Sequence, residues 1–476
     1  MADVLRLANI DQSITIDLLD GTYKLRDRSW NTGSTSPMNS YDPVPYGAHI
    51  TFESFATRVE TMDLIAQDVP PNIRAAQRDI YGALEGARQY NKNPLWTRFS
   101  KTAPPESWWL EWNVDGEPAK RSLIYEGSQE LLGGQCTGSF LPANASLMRL
   151  AIVRHPFWED VTTSSALSAT NVSCWGGTTT ISSIPGDVPA RFQSFFMGTP
   201  SVGIILAEGW IGIREEMTGT ANFEPIWECE DGNTANGSSV QTVAGASNGD
   251  VIQKASPAST LTKYWSMSVN DVCTANGHTD HNEQEGEYLV LCRCKVDAGT
   301  VGLQMRYGLE ASSQMLAPAE EIFITHTQWK LVELGRIQIP PAGIDEKFTI
   351  FNTAKYVTIE IYAEQISGTS TLDLDALCLI PTHHFWSFTN AKVQATASRY
   401  VRATTTPNDK HSAYGLEQVS ADVSLAYTLD NWYLPAGNSI LVAAGQADSL
   451  HSLTPNWSIT ADYYPRWAIY SETNGT

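Results

Sequence analysis

Hydrophobic and polar positions alternate with period two along most of the chain, the pattern of strands with one face in a core. Ser13–Leu18 and Thr22–Leu25 alternate in this way, and the Asp20-Gly21 between them predicts a hairpin. Residues 31–46 are polar and proline-bearing and predict an exposed loop, after which His49–Ala66 returns to strand character. Ser107–Val114, Lys120–Glu126 and Leu147–Arg154 predict further strands, the last running into His155-Pro156-Phe157-Trp158-Glu159. One segment breaks the alternation. Between Asp68 and Asn91 the apolar residues Ile73, Ala76, Ile80, Leu84 and Ala87 recur at helical spacing. Asp68 suits a position near the N-cap, Pro70 and Pro71 suit a first turn, and Asn93-Pro94 predicts the stop. The stripe is a packing face for a sheet.

A second block of alternation runs from about Phe223 to Pro381. It opens with Trp227-Glu228-Cys229-Glu230-Asp231, in which Trp227 and Cys229 share one face and Glu228 and Glu230 the other. It closes with Leu372–Pro381, in which Leu372, Leu374, Ala376 and Cys378 are expected on one face opposite Asp373 and Asp375. Glu287–Lys295, Thr300–Tyr307, Trp329–Ile339 and Tyr356–Glu364 predict strands between, separated by turn-rich stretches such as Ala244–Asp250 and Pro340–Gly343. The block reads as a self-contained sandwich set inside another domain. Asp160–Thr180 is long and polar, and Thr162–Thr180 and Thr404–Ala413 are expected as mobile loops.

A chain of 476 residues has room for about two to four domains. Abundant Gly, Pro and β-branched residues agree with an all-β class of several sandwiches carrying one helix. The formal net charge of −21, from 31 basic and 52 acidic residues, argues against sequence-specific nucleic-acid binding, which needs cations to displace counterions. The first residues lack the basic start and apolar run of a signal peptide, and no apolar segment is long enough to cross a bilayer. The expectation is a chain made in the cytosol, without membrane insertion. Seven cysteines without a C-x-x-C pair give no common zinc spacing and are expected reduced and mostly buried, with a Cys229–Cys378 disulfide as the alternative.

Glu228, Glu230, Asp373 and Asp375 are the carboxylates of most interest. Two short acidic pairs on adjacent strands offer the oxygen ligands that calcium needs; a solvated acidic face is the alternative. Tyr264 and Trp265 are candidates for stacking on the C–H faces of a sugar, with burial in a core as the alternative. His278–His281 with Glu283 and Glu285 reads as a surface loop, and His383-His384 as a linker pair. No G-x-S-x-G, H-E-x-x-H or Walker loop occurs, so nothing points to an enzyme.

The layout of 223–382 resembles a jelly-roll carbohydrate-binding module, a family with a Glu-x-Glu on its first strand, an Asp-bearing closing strand and often a structural calcium between them. Residues 1–160, with strands, one long helix and a closing Arg154-x-Pro156-Phe157-Trp158, resemble the ring-forming domain of tailed-phage distal tail proteins. Pro185–Ala190, Ala207–Arg214 and Leu434-Pro435-Ala436-Gly437-Asn438 resemble the entry, a strand and a late turn of that family's galectin-like sandwich, here split into 161–222 and 383–476. Ser439 stands where the family's turn has Asn. The resemblance implies a virion structural protein without catalytic residues or an obligatory cofactor. It would be a homo-oligomeric ring, expected as a hexamer, assembled in the host cytoplasm. It would join the tail tube protein to the tail tip, with an insert that takes a host-surface glycan; the net charge by itself adds the expectation of an acidic lumen that DNA does not adhere to. A glycan-binding accessory protein or carbohydrate-active enzyme is the alternative.

Overall fold

The computed structural model describes residues 4–10, 12–19, 23–27, 37–44, 47–55, 57–67, 70–92, 107–113, 118–131, 145–173, 176–198, 206–215, 223–269, 284–309, 317–339, 357–389, 401–403, 424–425, 433–447 and 456–467. The chain is all-β: among the described residues there is one α-helix, Pro70–Lys92, and the strands pair antiparallel. It forms two compact units. The first takes 1–164, 185–191 and 464–476; the second takes 165–184 and 192–463.

In the first unit, Val4–Asn9 pairs with both Thr15–Asp17 and Trp108–Asn113. Trp108–Asn113 leads on to Lys120–Leu131, Ala145–Arg154, Arg58–Gln67 and Tyr23–Asp27 in turn. The helix lays its predicted stripe onto this sheet: Ile73, Ile80, Leu84 and Ala87 are buried with Leu64, Leu110, Ile124 and Leu150, Ala76 is partly buried, and Ala83 joins them. Gly127 lets it come close, because a Cβ there would stand 3.0 Å from the Ala151 carbonyl oxygen and press on Leu84. The hairpin expected across Asp20-Gly21 does not form: Thr15–Asp17 pairs with the strand before it, and Tyr23–Asp27 with Arg58–Gln67. The local turn signal yields to a long-range partner that offers a whole strand. Asp20, Gly21 and Asp68 lie outside the described residues. Part of the expected loop at 31–46 is strand, with Pro37–Val44 pairing Gly47–Phe55.

The motif Arg154-x-Pro156-Phe157-Trp158 closes the first unit from within. Arg154 is fully buried, bonds Glu60 at 2.7 Å and the His155 carbonyl at 2.9 Å, and lies 4.5 Å from the Trp158 ring. Next to it Glu159 gathers three guanidinium groups from different strands. Arg191 reaches it at 2.7 and 2.9 Å, Arg121 at 3.1 Å and Arg466 at 3.8 Å. Arg121 and Arg191 lie over the Tyr464 ring at 4.7 and 4.4 Å. Gly186 approaches Arg466 so closely, at φ +123°, that a side chain there would collide with the Arg466 carbonyl.

In the second unit, a sheet ordered Gly177–Ile184, Gly437–Ala447, Leu206–Glu215, His384–Thr389 and Ser424–Leu425 flanks the inserted sandwich. Ser164–Ser173 and Gly177–Ile184 are strands where a mobile loop was expected; the threonine- and serine-rich sequence makes an edge strand with one exposed face. Thr404–Ala413 lies outside the described residues. His384 is not a linker residue but a buried strand position, paired with Ile213.

Among the described residues the insert has two six-stranded sheets. One orders Ser239–Thr242, Asp250–Ala255, Thr371–Pro381, Gly286–Val296 and Lys330–Ile339, with Ile226–Glu228 also on Thr371–Pro381. The other is built around Thr262–Ser268, Val357–Ser367 and Thr300–Leu309. Its core is continuous with the flanking sheet: Trp210, Phe385, Ile440, Val442 and Ala444 join the same buried cluster as Leu331, Leu334 and Leu379. Gly212 is the close approach, since a Cβ there would collide with the Pro381 carbonyl.

The closing strand departs from simple alternation. Arg293 and Cys294 are adjacent, yet they pair with Ala376 and Leu374, so Asp375 is an extra residue in a β-bulge. Directly paired residues share a face, so Leu374 follows Cys294 and Ala376 follows Arg293 onto opposite faces. The expected face of Leu372, Leu374, Ala376 and Cys378 is therefore split at Asp375. Cys229, Cys292, Cys294 and Cys378 are free and buried, and burial pushes the Cys378 thiol up to about 12.

Candidate functional site

The bulge gathers the carboxylates singled out in the sequence. Glu228 pairs across the strands with Ala376, and Asp373 with Gln253 and Lys295, which places them on the face that carries Arg293. This face is not a solvated one. Asp373 and Asp375 are buried, 6% and 0% exposed. Asp375 forms an ion pair with Arg293 and accepts from the Ser247 amide at 2.9 Å. Arg293 also donates to the Gly245 carbonyl at 2.9 Å, and its guanidinium lies 4.8 Å from the Trp329 ring. Asp373 accepts from Gln253 at 2.9 Å and faces Lys295 at 3.7 Å. The turn Ala244–Asp250, read in the sequence only as a turn, is thus tied down by the carboxylates beneath it.

Glu228 and Glu230 have no such cation. Glu230 accepts from Asn248 at 3.1 Å, and its other carboxylate oxygen is buried without a hydrogen bond among the described residues. The Ser247 hydroxyl lies 2.5 Å from Glu228 Oε2 and 2.9 Å from Asp375 Oδ1, one proton between two carboxylates. Burial, with the charges of Glu230, Asp375 and Asp231 against the opposing Ser247 bond, pushes the Glu228 carboxyl up to about 7. A protonated Glu228 supplies the second hydrogen that this contact needs.

The sign of the pH effect follows. Glu228 binds its proton more tightly folded than unfolded, so between about pH 4.5 and 7 the folded state holds more protons and stability falls as pH rises. Partial exposure screens the effect, leaving on the order of 1 kcal/mol. Glu228→Gln is expected to melt higher than the parent at pH 8 and level with it at pH 5. A variant that gains nothing at pH 8 would show that the carboxyl ionises there at no cost.

As a calcium site the four residues do not act as one set. Calcium takes six to eight oxygens, whereas the oxygens of Asp373 and Asp375 are committed to Lys295, Arg293, Gln253 and Ser247. Among the described residues no group of three or more His, Cys, Asp or Glu is arranged to hold a metal ion. Glu228 and Glu230 are the two that remain. Arg293 and Lys295 are the residues that the sequence reading missed; their signal was the alternation Cys292-Arg293-Cys294-Lys295, with cations spaced to face the acidic pairs.

Tyr264 and Trp265 are core residues, 2% and 0% exposed. They sit on the strand Thr262–Ser268. The Trp265 indole donates to the Cys229 carbonyl at 2.7 Å, and the Tyr264 hydroxyl accepts from the Ala258 amide at 2.7 Å. Neither ring has a face open for a sugar. A register shift between Lys263 and Trp265 turns adjacent aromatic residues inward together. His278, Thr279, Asp280, His281 and Glu283 lie outside the described residues.

No protein-family model matches the chain, and no curated protein does. Solved structures that resemble it include a chain of the phage p2 baseplate in its activated conformation with Sr, at 9% identity and TM-score 0.24, covering 79% of this chain and 98% of that one. The SPP1 Dit protein has 10% identity and TM-score 0.23, covering 78% and 99%. TmCBM61 in complex with β-1,4-galactotriose has 11% identity and TM-score 0.19, covering 36% and 99%.

Proposed function

We propose that this chain is a non-catalytic structural protein of a phage tail. In this reading it is a distal-tail hub whose copies form a six-fold ring joining the tail tube protein to the tip proteins of the virion, and whose insert contacts a host-surface glycan. The observation that carries the reading is the order of elements. A sheet with one long packed helix closes on the buried Arg154–Trp158 motif. A second sheet then begins, breaks off after Leu206–Glu215, and resumes at His384–Thr389 as its direct neighbour on the other side of the insert. That is the order the resemblance implies. A ring follows from one interface repeated around an axis. The acidic balance of −21 suits a lumen through which DNA passes without adhering.

Negative-stain imaging of the purified chain, paired with a mass measurement, tests this. Six-fold rings with peripheral knobs are expected. A chain that stays monomeric and does not bind a tail-tube protein would overturn the hub and bring forward a glycan-binding accessory protein. A structural calcium ion expected at Glu228, Glu230, Asp373 and Asp375 would be left with Glu228 and Glu230 as its uncommitted carboxylates; a melting temperature equal in calcium and in chelator removes that ion.

A further inference from the structure

Where the insert meets the flanking sheet, the strands Leu206–Glu215, His384–Thr389 and Lys330–Ile339 border a cleft of about 310 Å³. Its polar groups fall into two sets. Glu333 is already oriented, accepting the Trp210 indole at 2.6 Å. The side chains of Glu208 and Lys330 line the cleft with no hydrogen bond or ion pair among the described residues. Ser387 is 2% exposed, and its hydroxyl is buried without a hydrogen-bond partner among the described residues. A buried hydroxyl left unsatisfied costs stability, so its retention at the wall of a cleft points to a ligand that satisfies it. Phe323, on the same cleft, is 62% exposed and presents an open aromatic face.

An exposed aromatic face, two carboxylate acceptors, one ammonium donor and a hydroxyl that does either match one chemistry. A pyranose offers an apolar C–H face on one side and, around its rim, hydroxyls that each donate and accept. The volume is at the small end of the range for such sites, roughly 300–1,000 Å³, and suits one or two sugar rings. Two carboxylates against one ammonium leave the cleft mildly negative, which favours a neutral sugar over an anionic one.

We propose that this cleft is a saccharide subsite. Phe323 stacks on the sugar ring while Glu208, Lys330 and Ser387 hold its hydroxyls beside the fixed Glu333. The proposal deepens the glycan part of the reading above and rests on it; it moves the contact from Tyr264 and Trp265 to the junction of insert and flanking sheet. It also accounts for the fusion of the two, because only their union makes the cleft.

The test uses the full-length chain with methyl β-galactoside and methyl β-glucoside as probes in saturation-transfer NMR, alongside a glycan array. The parent is expected to show transfer to ring protons of at least one probe. Phe323→Ala should weaken binding about three- to tenfold, as loss of one stacking face implies. Ser387→Ala should weaken it while the melting temperature of the free protein holds or rises, since an unsatisfied buried hydroxyl is removed, and Glu208→Gln should weaken it less. Binding of array glycans that survives unchanged in all three variants would overturn the cleft and leave the glycan reading standing. A parent that binds neither probe nor any array glycan would overturn both. Binding confined to anionic ligands would overturn the neutral-sugar assignment.

Discussion

Glu159→Ala is expected to cost the first unit at least about 3–5 kcal/mol, the range for removing one partner of a buried ion pair. Glu159 is 2% exposed and is the carboxylate that Arg121, Arg191 and Arg466 share. Its loss removes the carboxylate that three buried guanidinium groups share, themselves 2%, 1% and 6% exposed. They reach Glu159 from three strands far apart in sequence, so the loss is felt across the sheet. The pH dependence separates this from a simple cavity. Burial by itself pushes the Glu159 carboxyl up, but Arg191, through its charge and hydrogen bonds, with Arg121 and Arg466, holds it down at about 2. A carboxyl whose folded pKa lies below its unfolded value near 4.5 stabilises the fold above pH 4.5, and that stability is lost as pH falls through 4.5 toward 2. The conversion is about 3 kcal/mol for this group. Thermal melts of the parent should fall steeply over that window, and melts of Glu159→Gln should be lower at pH 7 and flatter in acid. A variant as stable as the parent at pH 7 would mean that the three arginines are neutralised from elsewhere.

Asp375→Ala is expected to have a comparable effect in the second unit, again about 3–5 kcal/mol. Asp375 is fully buried, pairs with Arg293 and holds the turn through the Ser247 amide. Removing it strands a buried cation and frees Ala244–Asp250 together. The informative control is Arg293→Met combined with Asp375→Leu, which removes both charges and fills the space. It should recover much of the loss, because a buried pair is often matched by apolar residues of similar volume. Proteolysis at the 244–250 turn should rise in Asp375→Ala. A double variant no better than the single one would show that the turn, not the charge, carries the effect.

Much of this architecture was legible in the chain. The helix was, because five apolar residues at helical spacing fit a helix and nothing else. So were the central strands of the insert. Each of these depends on local periodicity, which sequence displays directly. The carboxylates were also found, but their setting was not. Asp373 and Asp375 alternate with apolar residues exactly as solvent-facing positions would, and only the pairing of distant strands brings Arg293 and Lys295 opposite them.

Tertiary structure decided the rest, for one physical reason: which face of a strand is covered depends on what packs there, and no local pattern states it. Tyr264 and Trp265 look the same in sequence whether they meet a sugar or a core; the core between the two sheets of the insert buries them. Tyr23–Asp27 takes the distant Arg58–Gln67 as its partner and not the nearby Thr15–Asp17. The bulge at Asp375 moved Ala376 to the other face through a single extra residue. The cleft edged by Phe323 and Ser387 exists only because Leu206–Glu215 and Lys330–Ile339, more than a hundred residues apart, come together across the insert. The chain by itself determined which segments become strands and helix; contact between remote segments determined which of their side chains are left to meet a ligand.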